Sequence, residues 1–435
     1  MDRRCKEFLE DVEMKIETYI NKKHKPAKDE LVAEYYVETN TSLEEAANNL
    51  AKESSIGTWT DIATMNEKVA HRLKPTIYFI QKKGVNKGIV KIAYPYELFE
   101  KGNMPQIWSS IAGNIFGMKA VNKLRLIDIG FPEVLVKSFK GPRFGIQGIR
   151  KLTKTKKRPL VGTIVKPKVG LTPAQHAKVA YDAWTGGLDV VKDDENLTSM
   201  TFDNFKKRME LTFKARDRAE KETGEKKIYM PNITAETFEM LKRAEIVDKC
   251  GGEYVMVDIL TCGWSGLQTI RDKVNKVIHA HRAMHAALTR NPEHGISMMV
   301  IAKCARLIGV DQLHVGTASV GKMNEQGHEC VEIEEEIENQ NIKEHSLVLA
   351  QKWHNIKPVL AVASGGIHPG SVPKVMKKMG NDIVMQFGGG CHGHPNGTYD
   401  GAKAIRQALA LTMKRIPLSK NKDEELKLAI GKWGK

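Results

Sequence analysis

The chain predicts an α/β architecture, with an N-terminal α+β domain followed by a C-terminal (β/α)8 TIM barrel. Three observations predict it: the length, a change of pattern near residue 140, and eight short apolar runs that alternate with helical segments beyond that point. At 435 residues the chain exceeds a single domain of roughly 100–200 residues, whereas an α/β barrel alone takes about 250. Hydrophobic residues make up 41% of it and charged residues 28%, which is enough apolar material for packed cores and argues against global disorder.

Residues 1–140 mix the two periods. A helical repeat covers 6–20, a strand-like stretch 31–37, a helical stretch 42–53, further strand-like runs 76–80 and 88–93, and another helix 107–117, which together read as a small α+β domain. The stretch 141–158 is rich in Gly, Lys and Thr and reads as a link between domains. The eight runs then fall at 160–165, 187–192, 228–233, 254–260, 277–281, 312–315, 359–363 and 382–387. Strands buried on both faces read as continuous apolar runs, and their alternation with helices implies βαβ units. A barrel over 150–416 accommodates eight such units, although a doubly wound sheet has the same count. The tail 417–435, rich in Lys and Glu, reads as a helix on the surface.

Lys and Arg total 68 against 52 Asp and Glu, a net charge of +16. Such an excess serves nucleic acid, a membrane surface or an anionic substrate. Here the basic residues are spread along the chain and interleaved with acidic ones, as over 205–227, and no nucleic-acid-binding signature accompanies them, so they read as a solvated surface. The six cysteines, Cys5, Cys250, Cys262, Cys304, Cys330 and Cys391, include no Cys-x-x-Cys pair and fit reduced thiols. The first ten residues are charged, and no apolar run approaches the ~20 residues of a membrane span. A cytoplasmic protein without a membrane partner is the expectation.

Polar residues collect at the downstream ends of the apolar runs. Lys166 and Lys168 follow the first, Lys192, Asp194 and Glu195 the second, and His281 and Arg282 the fifth; His314 lies in the sixth. Ser364, Gly365 and Gly366 follow the seventh, and Gly388 and Gly389 the eighth. In a barrel all of these face the C-terminal mouth, where barrel enzymes place their active sites. Taken singly each motif is weak: Lys-Pro-Lys is usually a surface turn, Lys-Asp-Asp-Glu a solvated loop, and His-x-His-Arg a satisfied buried histidine. Their shared placement is what points to chemistry.

Asp194 and Glu195 are hard oxygen donors suited to Mg²⁺. Lys192 repels a cation as an ammonium and becomes a ligand only when its amine turns anionic. Carbamylation by CO2 does this, and it needs a deprotonated amine, which the positive charges of Lys166 and Lys168 favour. Backbone N–H groups of Gly365, Gly366, Gly388 and Gly389 suit one phosphate, while Arg282 and His314 are charge-assisted donors for another. Two phosphate sites imply a bisphosphate.

Eight segments carry a specific resemblance: AKESSIGTWT (51–60), GNIFGMK (113–119), GTIVKPKVGL (162–171), GGLDVVKDDEN (186–196), HAHRAMHA (279–286), QLHVGTASVGKM (312–323), ASGGIH (363–368) and QFGGGCHGHPNG (386–397). In this order and over most of the chain they resemble the large subunit of ribulose-1,5-bisphosphate carboxylase/oxygenase (RuBisCO), in its archaeal form III or form II/III-like version.

The resemblance implies a carboxylase that joins CO2 or O2 to ribulose 1,5-bisphosphate, with Lys192 carbamylated and completing a Mg²⁺ site with Asp194 and Glu195. It implies that the carbamate takes the C3 proton, that Lys166 protonates the product carbanion, that Lys168 tunes Lys166, and that His281 handles protons during hydration. Lys322 would be the mobile-loop lysine that stabilises the new carboxylate. Glu53, Thr58, Trp59 and Asn114 would serve the site of a partner subunit, so a homodimer or a multiple of dimers is implied.

The chain also departs from the plant form. The stretch between His314 and Lys322 is one residue longer, Ile164 stands for threonine, Met323 for leucine and Asn324 for glutamate. These changes bear on CO2/O2 specificity and loop kinetics. The archaeal features imply nucleotide (AMP) salvage over photosynthetic-type fixation. Two other readings stay open: a RuBisCO-like isomerase or enolase of sulfur-sugar phosphates on the same fold, and a nucleic-acid-binding protein suggested only by the charge.

Overall fold

A computed structural model describes residues 18–58, 60, 62–321, 327–345 and 348–434; most of the helical repeat read over 6–20 lies outside them. The chain divides into two compact units.

The first unit takes the chain up to Phe139, together with His285–Cys304 and Gln340–Asn355. Its sheet holds four antiparallel strands, β1 (Glu30–Glu38), β2 (Thr76–Gly84), β3 (Lys87–Pro95) and β4 (Lys123–Gly130), with the short strand Gly295–Ile296 parallel to β4 on the edge. In β1 the alternate residues Leu31, Ala33, Tyr35 and Val37 are buried, the period of two that turns one strand face to a core. Helix Leu43–Glu53 starts where the Ser42 side chain accepts from the Glu45 N–H, and helix Met104–Ile111 where Asn103 does the same for Gln106; both side chains satisfy donors left open by a helix start. Asp128 of β4 explains why two later segments return to this unit. Fully buried, it accepts from Lys303 Nζ at 2.8 Å and from the Leu349 backbone N–H at 2.7 Å, so an anion too costly to bury alone is satisfied by one group from each segment.

The second unit comprises Lys140–Met284, Ala305–Asn339 and Ile356–Lys435. Eight parallel strands form its sheet: β5 (Leu160–Ile164), β6 (Val190–Lys192), β7 (Ile228–Met230), β8 (Tyr254–Asp258), β9 (Val277–His281), β10 (Gln312–His314), β11 (Leu360–Ser364) and β12 (Ile383–Gln386). Their spatial order is β7-β6-β5-β12-β11-β10-β9-β8, and a parallel bridge from Asn232 to Met256 joins the two ends. This closure makes the sheet a barrel and removes the doubly wound alternative.

The stretch 141–158 is more than a link. It contains helix Gly145–Thr153, whose Ile146 and Ile149 pack with Leu160, Val190, Ile228, Tyr254, Val277 and Leu360 at the N-terminal ends of the strands. The helix closes that end of the barrel, which leaves the other end for chemistry. Asp311 fixes its start by accepting from the N–H groups of Phe144 and Gly145 at 2.7 and 3.0 Å. The terminal helix Glu424–Trp433 buries Leu426 and Ala429, and the Glu425 carbonyl lies 2.9 Å from His394 Nε2.

One acid in this unit is buried at a cost. Glu334, 5% exposed on helix Gly327–Glu338, is pushed up to about 9 by burial and then by the nearby Glu338 and Glu335. An acid with a raised folded pKa contributes no penalty below its unfolded value of about 4.5, and its penalty grows by up to about 1.4 kcal/mol per pH unit from there to the folded value. Glu334→Gln is therefore expected to raise the melting temperature at pH 8 and to leave it unchanged at pH 4. Equal shifts at both pH values in thermal melts would mean that charge is not the cause.

Candidate active site

The barrel places the described sequence-predicted residues of its unit at one mouth, because parallel strands bring all their C-terminal ends to one side. β6 ends on Lys192, which is 1% exposed. Its Nζ donates to the Asp193 carbonyl at 2.9 Å, lies 3.4 Å from Met256 Sδ and stands 3.7 Å from Glu195 Oε2. Burial pushes the amine's pKa down and the neighbouring charge of Lys166 adds to this, against the pull of Glu195, Asp194 and Asp258. The dominant cause is thus desolvation rather than the flanking lysines.

Lys166 Nζ donates to Asp194 Oδ2 at 2.5 Å, and Lys168 Nζ is 3.5 Å from Glu195 Oε1. Burial opposes ionisation of Glu195, but Lys192 and then His281 outweigh it and hold the carboxyl at about 2. Three lysine side chains thus converge on two carboxylates. Among the described residues no three His, Cys, Asp or Glu side chains gather as a ready-made metal site. Mg²⁺ still fits the chemistry of the donor set: Asp194 and Glu195 offer hard oxygens, and the third anionic ligand must come from the adjacent Lys192, whose buried amine is biased toward the neutral form that reacts with CO2.

His281 closes the other side. Its Nδ1 lies 2.8 Å from Asp258 Oδ1 and its Nε2 3.7 Å from Glu195 Oε2. The reading of His314 needs correction. It is buried, with Nε2 2.9 Å from His279 Nε2, and burial, then the charges of His281 and His279, push its pKa well below the ordinary histidine value. A neutral imidazole remains, able to donate a plain N–H but not the charge-assisted bond expected of it. Arg282 follows His281, half-buried, in the turn after β9.

Backbone shape dictates the first two of the four glycines. Ser364 ends β11, and Gly365 and Gly366 follow at φ +129° and +75°, a region where a side chain is strained. Gly388 comes after β12, and a Cβ there would lie 3.5 Å from Lys166 Cε; Gly389 opens the short helix Gly389–His392. In the first unit, Asn114 Nδ2 donates to Glu53 Oε1 at 3.3 Å, and Thr58 is half-exposed. Trp59 and Lys322, with Met323 and Asn324, lie outside the described residues.

Sequence reasoning missed four supporting groups. Asp258 orients His281. His279 backs His314, and its place two residues before His281 on one strand was the available signal. Asn232 Nδ2 donates to the backbone carbonyls of Glu195 and Asp194 at 3.1 and 3.4 Å. Asp193, flanked by the predicted ligands, points away from the mouth. It accepts from Tyr229 Oη at 2.5 Å, the Asn232 N–H at 3.0 Å and Arg208 Nη2 at 3.2 Å. Burial opposes its charge, but Arg208 holds its carboxyl well below the usual range.

Residues 145–433 match the family model of the ribulose bisphosphate carboxylase large chain, catalytic domain, and residues 18–135 match that of its N-terminal domain. The chain belongs to the ribulose bisphosphate carboxylase large-chain family. Among its RuBisCO relatives, ribulose bisphosphate carboxylase of Methanocaldococcus jannaschii is 50% identical over 424 residues, covering 95% of this chain and 99% of that one. The Pyrococcus abyssi enzyme of the same name is 47% identical over 430 residues, covering 97% and 98%. The solved dimeric archaeal Rubisco from Hyperthermus butylicus superposes with a TM-score of 0.91 at 45% identity over 96% of this chain and 98% of that chain. An octameric Rubisco from Pyrococcus horikoshii gives 0.88 at 45% identity over 96% and 98%. None of the described helices is long and apolar enough to cross a membrane.

Proposed function

We propose that this chain is a ribulose-bisphosphate carboxylase that enolises ribulose 1,5-bisphosphate and adds CO2, giving two 3-phosphoglycerate, with O2 as the competing gas. The observation that carries the reading is the burial of the Lys192 amine beside Asp194 and Glu195. With a CO2-derived carbamate on Lys192, these three would hold Mg²⁺, which when bound supplies Lewis-acid stabilisation to oxyanion charge on the substrate.

The chain's own residues divide the remaining work. The carbamate oxygen would accept the C3 proton. Lys166, 26% exposed and hydrogen-bonded to a fully buried carboxylate, is placed to return a proton to the product carbanion, with Lys168 beside it. His281, steadied by Asp258, would move the proton of the hydrating water. Arg282 and the neutral His314 would bind one phosphate and the backbone N–H groups of Gly365, Gly366, Gly388 and Gly389 the other, with Ser364 on the sugar and Lys322 on the carboxylate formed from CO2. Glu53, Thr58, Trp59 and Asn114 would complete the site of a second subunit, so the active unit is a homodimer or a multiple of dimers. The role proposed for it is cytoplasmic nucleotide salvage, in keeping with the archaeal-type features of its sequence.

The test is incubation with Mg²⁺, ribulose bisphosphate and labelled CO2. Acid-stable label in 3-phosphoglycerate is expected; enolisation without label would point instead to an isomerase or enolase. For the salvage role, ribose-labelled AMP should label 3-phosphoglycerate in an extract of the source cells, and label that stops short of it would exclude that role.

A further inference from the structure

We infer that Asp193, anchored outside the barrel wall, is a positioning residue that governs how readily Lys192 takes up CO2; the inference rests on the carboxylase reading above. In an extended segment successive side chains point to opposite sides. Lys192 and Asp194 accordingly face the mouth, where they meet Glu195 and Lys166, while Asp193 faces the helix layer. There Arg208 of helix Phe205–Thr223 donates to it at 3.2 Å and His176 Nε2 of helix Pro173–Thr185 stands 3.1 Å away. Tyr229 and the Asn232 N–H complete the set.

All of these groups are buried: Asp193, Arg208, His176, Tyr229 and Asn232 have no exposed surface. The anchor reaches the mouth through the main chain. The Asp193 N–H donates to the Met230 carbonyl at 3.1 Å, and its own carbonyl is the acceptor for Lys192 Nζ. Fixing the Asp193 side chain therefore fixes the orientation of the carbonyl that holds the amine. A rotation of this peptide would release Nζ and misdirect its lone pair.

The step affected balances as follows. The ammonium of Lys192 loses one proton to solvent. The freed nitrogen lone pair then forms an N–C bond to CO2, one C–O π pair moves to oxygen, and a second proton leaves, giving an anionic carbamate. Only the position of the nitrogen and the angle of approach depend on Asp193.

The experiment titrates the full-length protein with ¹³C-labelled bicarbonate/CO2, with and without Mg²⁺, and reads the carbamate carbon by NMR, with Lys192→Met as the blank. Asp193→Asn keeps the volume and removes the charge. It is expected to raise the CO2 concentration for half-maximal carbamate by at least about tenfold, as loss of hydrogen bonds to a charged group implies. The KM for ribulose bisphosphate should stay unchanged in whatever fraction is carbamylated. Tyr229→Phe, which removes one donor and leaves Arg208 in place, covers the case in which Asp193→Asn fails to fold and should give a smaller shift in the same direction. Carbamate formation with wild-type CO2 dependence in the folded variants, even at a lower melting temperature, would reduce Asp193 to a structural residue and overturn the inference. A wild-type protein showing no signal above the Lys192→Met blank would instead strike the carboxylase reading itself.

Discussion

Lys192→Ala is expected to abolish CO2-dependent activation and to lower turnover by at least about a thousandfold, since metal stabilisation of transition-state charge is worth several kcal/mol and each ~1.4 kcal/mol is tenfold. The substitution removes the nitrogen that would carry the carbamate. With that nitrogen gone, nothing at position 192 can supply a ligand of the same geometry beside Asp194 and Glu195. The native enzyme, preincubated with CO2 and Mg²⁺, should gain activity over minutes, whereas the variant should show neither the gain nor a basal rate. Turnover of the variant near the native level, with CO2 stimulation intact, would refute the carbamate role. Circular dichroism of the variant guards against a trivial folding defect, because the cavity left behind adjoins the packed layer around Met256.

Lys166→Met should separate proton transfer from activation. The thioether keeps most of the side-chain length beside Gly388, where a Cβ at 388 would come within 3.5 Å of Lys166 Cε, but it can neither donate nor accept the proton. General acid–base catalysis contributes about 10²–10⁴-fold, and a kcat loss in that range is expected while the Lys192 carbamate signal persists. Stability should fall as well, because Asp194 loses its 2.5 Å partner. The fall should be less than the ~3–5 kcal/mol of a fully buried broken pair, as Lys166 is a quarter exposed and water can enter. An unchanged kcat would assign the proton to another group, His281 being the nearest in kind. Loss of the carbamate signal along with kcat would instead mean that Lys166 acts by keeping the Lys192 amine neutral.

Much of this was legible in the chain. Parallel strands covered on both faces must be apolar throughout, so all eight runs marked true strands, and the polar residues just beyond them marked the mouth. Several runs overshot their strands because the first residues of the following loop are also buried, as Val165, Ile233 and Phe387 are. In the first unit the strand Lys123–Gly130 escaped notice, its Lys, Arg and Asp residues breaking the apolar run that the others show. Helix Gly145–Thr153 was hidden in a stretch whose glycines and lysines resemble a linker. Its two isoleucines pack against strands that come together in the closed barrel.

The sequence by itself determined the eight strand runs of the barrel and the chemical character of the groups just beyond them, because these follow from local periodicity and from the chemistry each side chain carries. Only the tertiary structure decided the rest. Closure of the sheet depends on which strands pair; the return of 285–304 and 340–355 to the first unit depends on satisfying Asp128. The neutral state of His314, the depressed affinity of the Lys192 amine for its proton and the outward anchor at Asp193 depend on burial and on distant charges. Those are properties of the space around a residue, and a linear pattern does not record that space.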